Sequence, residues 1–206
     1  MFFRKFFRIF PKLRTVFYKK WNKVYFYAND VKFGRKFQVY DKVYVLGPGK
    51  VSIGDDFVFT SGSCLNPICR NICGSIYTMT PDARIVIGNR VGISSACLWA
   101  MDRIQIGNDV NIGGDCIIID NDAHPIDYQY RRTQYLEEVG VEKYYKEIKS
   151  EPIIIEDDVW IGARCVILKG VKIGARSIIA AGSVVVNSIP ANVIAGGNPC
   201  KAIKNL

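Results

Sequence analysis

The sequence predicts an all-β parallel solenoid with triangular coils, preceded by an amphipathic helix and broken by one long insertion. Three observations predict it. The pattern [Val/Ile]-x-[Ile/Phe]-Gly occurs seven times, at Val31–Gly34, Val51–Gly54, Ile85–Gly88, Ile104–Gly107, Val110–Gly113, Val159–Gly162 and Val171–Gly174. In the C-terminal third an aliphatic residue returns every sixth position, at Ile155, Ile161, Ile167, Ile173, Ile179 and Val185. The same phase runs through Ile106, Ile112 and Ile118, and through Ile87, Ile93 and Trp99. Neither a helix nor an ordinary antiparallel sheet asks for an apolar residue at that period. A triangular coil does: each side is a short strand pointing one aliphatic inward, and three sides take about eighteen residues. The third observation is the kind of residue placed directly after a glycine. Asp55, Asn89 and Asn108 suit corners, because Asp and Asn tolerate unusual backbone angles and bond their own backbone.

Taken in order, residues 1–29 form a separate basic segment. They hold eight Lys and Arg and no Asp or Glu, so the net charge of +9 falls to about +1 for the remainder. A body that is nearly neutral argues against a nucleic-acid surface. Between residues 2 and 26, Phe2, Phe3, Phe6, Phe7, Phe10, Leu13, Val16, Phe17, Trp21 and Val24 recur at helical intervals, with Lys and Arg filling the other face. Pro11 starts or kinks that helix. Two roles fit it: contact of residues 1–23 with an anionic membrane, or capping of the solenoid's open end. No apolar run reaches the roughly 20 residues of a membrane span. The charged N-terminus also lacks the small-residue cleavage site of a secretory signal.

The solenoid domain then occupies residues 30–206, with an insertion at 120–152 that has no six-residue period and is rich in Tyr and charge. Sites arise where a repeat breaks. At the root of this insertion stands Asp120-Asn121-Asp122-Ala123-His124-Pro125-Ile126-Asp127, which contains the sole histidine. Imidazole is the side chain that serves as a base near neutrality without modification. Asp120, Asp122 and Asp127 are each candidates to orient it.

The seven cysteines are an odd count in a chain too long for a small disulfide scaffold, so free thiols in a reducing compartment are expected. Cys69-x3-Cys73 has no second pair nearby, and no metal site is expected. Cys97, Cys116 and Cys165 each lie four residues after a core aliphatic and are expected to point inward as small hydrophobes.

The repeats resemble those of the hexapeptide-repeat acyltransferases of the maltose, galactoside and xenobiotic O-acetyltransferase kind, over about residues 31–201. The resemblance implies a left-handed parallel β-helix, homotrimers with sites between subunits, and acetyl-CoA as co-substrate. It implies direct attack by an acceptor hydroxyl with His124 as general base, assisted by Asp122 or Asp127, and Ser95 near the acceptor. Asp157-Asp158-Val159-Trp160-Ile161-Gly162-Ala163 and Ile194–Lys201 are similar to the stretches lining that family's acyl-CoA groove. They imply Ala163 and Ala181 against the pantetheine arm, Trp160 beside the thioester, and Asn187, Lys201 and Lys204 near the nucleotide. The acceptor implied is a sugar or glycan, a cell-surface polysaccharide or its precursor, modified in the cytoplasm at the inner membrane face. An amino-sugar N-acetyltransferase, a xenobiotic acetyltransferase and a non-catalytic scaffold compete. A γ-carbonic-anhydrase-like hydratase does not, because one histidine per chain cannot supply its shared-interface metal ligands.

Overall fold

A computed structural model of the chain describes residues 9–62, 66–69, 72–132 and 141–206. The chain folds as a left-handed parallel β-helix in which every coil contributes one strand to each of three sheets, faces A, B and C. The first coil is β1 (Lys32–Phe33), β2 (Gln38–Tyr40) and β3 (Val43–Leu46); the second is β4 (Lys50–Ile53), β5 (Val58–Thr60) and β6 (Gly74–Thr78). The third is β7 (Arg84–Ile87), β8 (Gly92–Ser94) and β9 (Cys97–Ala100), and the fourth β10 (Arg103–Ile106), β11 (Asn111–Ile112) and β12 (Ile117–Ile119). Two shorter-stranded coils come next: β13 (Ile153–Ile155), β14 (Trp160–Ile161) and β15 (Val166–Ile167), then β16 (Lys172–Ile173), β17 (Ile178–Ile179) and β18 (Val184–Val185). On face B, β19 (Val193–Gly197) adds in parallel to β17, and β20 (Cys200–Asn205) folds back antiparallel to β19.

The six-residue phase is the inward ladder of this prism. Ile53, Ile87, Ile106, Ile155 and Ile173 stack in register on face A, and all are buried. Corners obey the same logic with one refinement. The residue directly after the corner glycine does not take the left-handed conformation. The next one does: Asp56, Arg90 and Asp109 have φ of 57°, 55° and 58°. Asp55, Asn89, Asn108 and Asp157 instead form a column in which each side-chain oxygen accepts a backbone N–H from the coil above, at 2.7–2.9 Å. The column satisfies corner donors that no strand reaches.

The third coil departs from the expected phase. Its third side is one residue short, so Leu98 is the core residue and Trp99 lies half-buried on the outer side. Leu98 pairs with core Ile118, while Cys97 pairs with outward Ile117. Cys97 is therefore not a core residue, and Ala96 fills the inward position instead. Cys116 and Cys165 are buried as expected. Their thiols donate to Gly162 O and Ala180 O, each at 3.1 Å. The neighbouring Cys165 thiol and burial push the Cys116 thiol above its ordinary range.

Helix α1 spans Ile9–Ala28; residues 1–8 of the expected helix lie outside the described residues. Pro11 sits in its first turn, where a missing N–H costs nothing. The helix lies over the open end of the first coil through Phe26, Asn22 and Tyr25. Phe26 is fully buried against Phe37, 5.0 Å between ring centroids, and Phe37 stacks on Phe57 at 5.7 Å. Buried Asn22 donates to Val39 O and Asp41 O at 3.0 and 2.8 Å, and Arg14 pairs with Asp41 at 2.8 Å. Capping thus falls to the face carrying Asn22 and Phe26. The apolar stripe Leu13, Val16, Phe17, Trp21 and Val24 points away, between 51% and 64% exposed.

Candidate functional site

The regular coils are interrupted twice. A short excursion at the B-to-C corner of the second coil carries Cys69, whose sulfur packs on Gly114 two coils below; a Cβ there would approach it to 2.8 Å. The long insertion leaves the C-to-A corner after β12. Its two ends pair to form a neck: Asn121 bridges Ser150 in antiparallel fashion, Asp122 N–H donates to Lys149 O at 3.0 Å, and Glu151 N–H to Asp120 O at 2.9 Å.

Fully buried Asp120 anchors the neck to the coil above. Its carboxylate accepts from the N–H groups of Met101 and Asp102 at 2.7 and 2.9 Å, and from the Asn121 amide at 3.1 Å. Burial raises its pKa above the ordinary carboxylate value, and those hydrogen bonds pull against the rise. Ala123, at φ 59°, then reverses the chain, with its N–H on Asn121 Oδ1 at 2.9 Å. That turn presents His124 at the surface, while Pro125 is buried behind it.

The imidazole is fixed by a partner that the sequence did not single out. His124 Nδ1 lies 2.7 Å from the hydroxyl of Tyr144, on α3 (Val141–Lys146) in the far limb of the insertion. The Tyr144 ring is buried and meets the imidazole edge-on at 6.4 Å. Among the described residues, Nε2 has no hydrogen-bond partner. When Nδ1–H donates to the Tyr144 oxygen, Nε2 holds its lone pair outward, which is the tautomer a base requires.

None of the three neighbouring carboxylates takes this part. Asp120 is occupied by its backbone donors on the coil above. Asp122 pairs with Lys169 from the same corner one coil below, the two side chains only 21% and 23% exposed. Asp127 caps the one-turn helix α2 (Tyr128–Arg131), accepting from Gln129 N–H at 2.8 Å. Sequence adjacency put these groups close; local backbone donors and Lys169 claimed them first. Ser95 is also a structural residue. It is buried at a corner with φ 42°, and its hydroxyl accepts from Gly62 N–H at 2.9 Å, so it faces no acceptor.

The other expected site residues lie elsewhere on the prism. Ala163 and Ala181 stack on consecutive coils along the edge between faces B and C. Trp160, 56% exposed, is outward on face B between Asn111 and Ile178. Lys201 and Lys204 are exposed on β20, also on face B. Asn187 comes after β18 on the C-to-A edge, the same edge as His124 and away from the two lysines. Within one chain the histidine and the small-residue edge are thus separated by the whole width of face C. Among the described residues no cluster of three or more His, Cys, Asp or Glu could hold a metal ion.

Residues 152–187, spanning β13 to β18, match the bacterial transferase hexapeptide family (six repeats). These coils are hexapeptide repeats. Two curated relatives extend the likeness. A 2,3,4,5-tetrahydropyridine-2,6-dicarboxylate N-acetyltransferase of Clostridium perfringens is 62% identical over 55 residues, covering 27% of this chain and 23% of that protein. The galactoside O-acetyltransferase of Escherichia coli is 37% identical over 103 residues, covering 50% of this chain and 44% of that protein. The chain spans less than half the length of either. The fold extends further: a variant of AntD, an N-acyltransferase from Bacillus cereus in complex with dTDP and coenzyme A, superposes with a TM-score of 0.60 at 18% identity, over 84% of this chain and 83% of that one. In repeat and in fold the chain resembles the hexapeptide-repeat acetyltransferases, as its sequence indicates.

Proposed function

We propose that the chain transfers an acetyl group from acetyl-CoA to a hydroxyl of a sugar, with His124 as general base. One observation carries the reading: on a hexapeptide-repeat β-helix, the sole histidine stands at the mouth of the insertion with Nδ1 held by Tyr144 and, among the described residues, Nε2 unpartnered. Nε2 takes the acceptor's hydroxyl proton as its oxygen attacks the thioester carbonyl. The tetrahedral intermediate expels coenzyme A as thiolate, and the imidazolium returns the proton to that sulfur. No acyl-enzyme is needed. Cys116 and Cys165, buried inside the prism, have no access to a thioester.

The acyl carrier belongs on the B–C edge, where Ala163 and Ala181 leave room for a pantetheine arm against the backbone. Lys201 and Lys204 on β20 offer cations for its phosphates. Since that edge and His124 flank face C from opposite sides, the reading requires a second copy. Face C favours this. Its outward ladder Tyr44, Ser75, Cys97, Ile117, Val166 and Val184 carries no charge, nor does Leu46, Tyr77, Trp99 and Ile119 beside it. Face A, by contrast, turns Lys50, Arg84 and Arg103 outward in register. A homotrimer with face C toward its threefold axis brings the C–A edge of each protomer to the B–C edge of the next.

Release of free thiol from acetyl-CoA, measured with neutral sugars, amino sugars and glycan fragments as acceptors, tests the reading. Turnover on a hydroxyl acceptor, giving an alkali-labile ester, supports it. Transfer confined to amines favours the second reading, an N-acetyltransferase, for which the 62% identity to a dicarboxylate N-acetyltransferase speaks. No transfer to any acceptor would leave a scaffold.

A further inference from the structure

We propose that the outward face of α1 docks the protein on an anionic lipid surface. The helix has two faces with different occupations. One is used up as the cap, through Asn22, Tyr25 and Phe26. The other carries Leu13, Phe17, Trp21, Val24 and Tyr27 at 59%, 58%, 51%, 64% and 77% exposure. At 100° per residue these fall on one continuous stripe. Phe17 and Trp21 stack on each other, 6.0 Å apart and 10° from parallel, so the stripe presents a broad aromatic surface and not scattered tips. Single exposed apolar side chains need no explanation; a contiguous stripe along four turns does.

Charge identifies the occupant. Exposed Lys12 and Lys23 border the stripe on one side, and Lys20 rises through it on a flexible stem. None of the three forms an ion pair among the described residues. Residues 1–29 contain no carboxylate at all. A second copy of the same face would therefore bring only like charges against them, which disfavours self-association. An anionic bilayer answers both features at once: acyl chains accept the aromatic stripe and headgroups accept the lysines. No helix among the described residues is long and apolar enough to cross a membrane, so α1 lies along the surface.

The full-length protein is mixed with vesicles of phosphatidylcholine alone and of phosphatidylcholine with phosphatidylglycerol. Co-sedimentation with the anionic vesicles should exceed that with neutral ones by about tenfold or more, and added salt should narrow the gap. Because truncating α1 would uncover the cap, the variants are surface ones. Phe17→Ser/Trp21→Ser/Val24→Ser should leave the melting temperature within a few degrees and cut vesicle affinity by at least about tenfold. Lys12→Gln/Lys20→Gln/Lys23→Gln should cut the preference for anionic lipid by about tenfold or more, with five cations of residues 1–29 left in place; an unchanged preference overturns the assignment of these lysines. Wild-type protein that ignores anionic vesicles at low salt overturns the proposal. So does a folded apolar variant that still binds as wild type, or one whose sole change is a smaller sedimentation mass, which would give the stripe to a second copy. Acetyl transfer to a soluble acceptor, read on the same variants, is independent of every one of these outcomes.

Discussion

His124 was legible in the sequence because it is unique and stands where the six-residue period stops; its partner was not. Tyr144 lies twenty residues away across an aperiodic insertion, and no spacing rule links the two. The carboxylates at Asp122 and Asp127 looked nearer, yet a lysine from the next coil and a one-turn helix took them. His124→Ala should lower kcat by about 10²–10⁴ with KM for acetyl-CoA little changed. Tyr144→Phe keeps the ring contact and loses only the hydrogen bond. It should cost about tenfold in kcat, the worth of one hydrogen bond that fixes a tautomer. Its effect should vanish in the His124→Ala background; additive losses would place Tyr144 outside this pathway. Thiol labelling reads the coil register at the same scale. Exposed Cys73 and half-buried Cys97 should react in the native protein, while Cys116 and Cys165 react on unfolding. Rapid native labelling of Cys116 would contradict its place inside the prism.

Among the elements, the coils were the most legible and the helix the most misleading. Strands were announced by an inward aliphatic every six residues, since each must pair with the coil above and below. The one slip, at Trp99, arose because the third side of that coil is a residue shorter and Ala96 replaces the expected inward Cys97. The helix was amphipathic as read, but its apolar stripe is not the face that caps. Phe26→Ala should cost about 3–5 kcal/mol, a buried aromatic removed from a column with no room to collapse. A chain starting at Asn29 should aggregate, because Phe37 and Val39 lose their cover. The corner ion pairs respond to acid. Hydrogen bonds from Arg35 and Arg90 hold the carboxyls of Asp55 and Asp109 below their ordinary range. A depressed acid pKa stabilises the fold above the unfolded value, about 4, and that stability is lost as pH falls through the folded value. Both pairs are exposed and screened, so their share is small. Asp55→Asn/Asp109→Asn should lower the melting temperature slightly near neutral pH and leave it unchanged at the acid end, flattening the acid limb; an unaltered profile would mean the pairs contribute nothing.

For the whole molecule the proposed function raises one question: how His124 and the Ala163–Ala181 edge, on opposite sides of face C, come together. Neither edge was visible as such in the sequence, because which corner a residue occupies depends on the coil count between it and its partners. If face C turns toward a threefold axis, each complete site takes His124 from one protomer and the Ala163–Ala181 edge from the next. That arrangement is testable without a structure of the assembly. His124→Ala abolishes one half; Ala163→Trp fills the other and blocks the acyl carrier. Each variant alone should be inactive. Unfolded together in equal amounts and reassembled, they should regain about a quarter of wild-type activity, since a site is whole only when the blocked-groove protomer donates the histidine and the histidine-less one donates the groove. Both changes placed in the same chain and mixed with wild type should also leave about a quarter of the sites whole, because both contributors must then be wild type. The first mixture discriminates. Were histidine and groove to serve the same site within one protomer, no recombination of the two single variants would restore any turnover, and the uncharged strand ladder of face C would need another occupant.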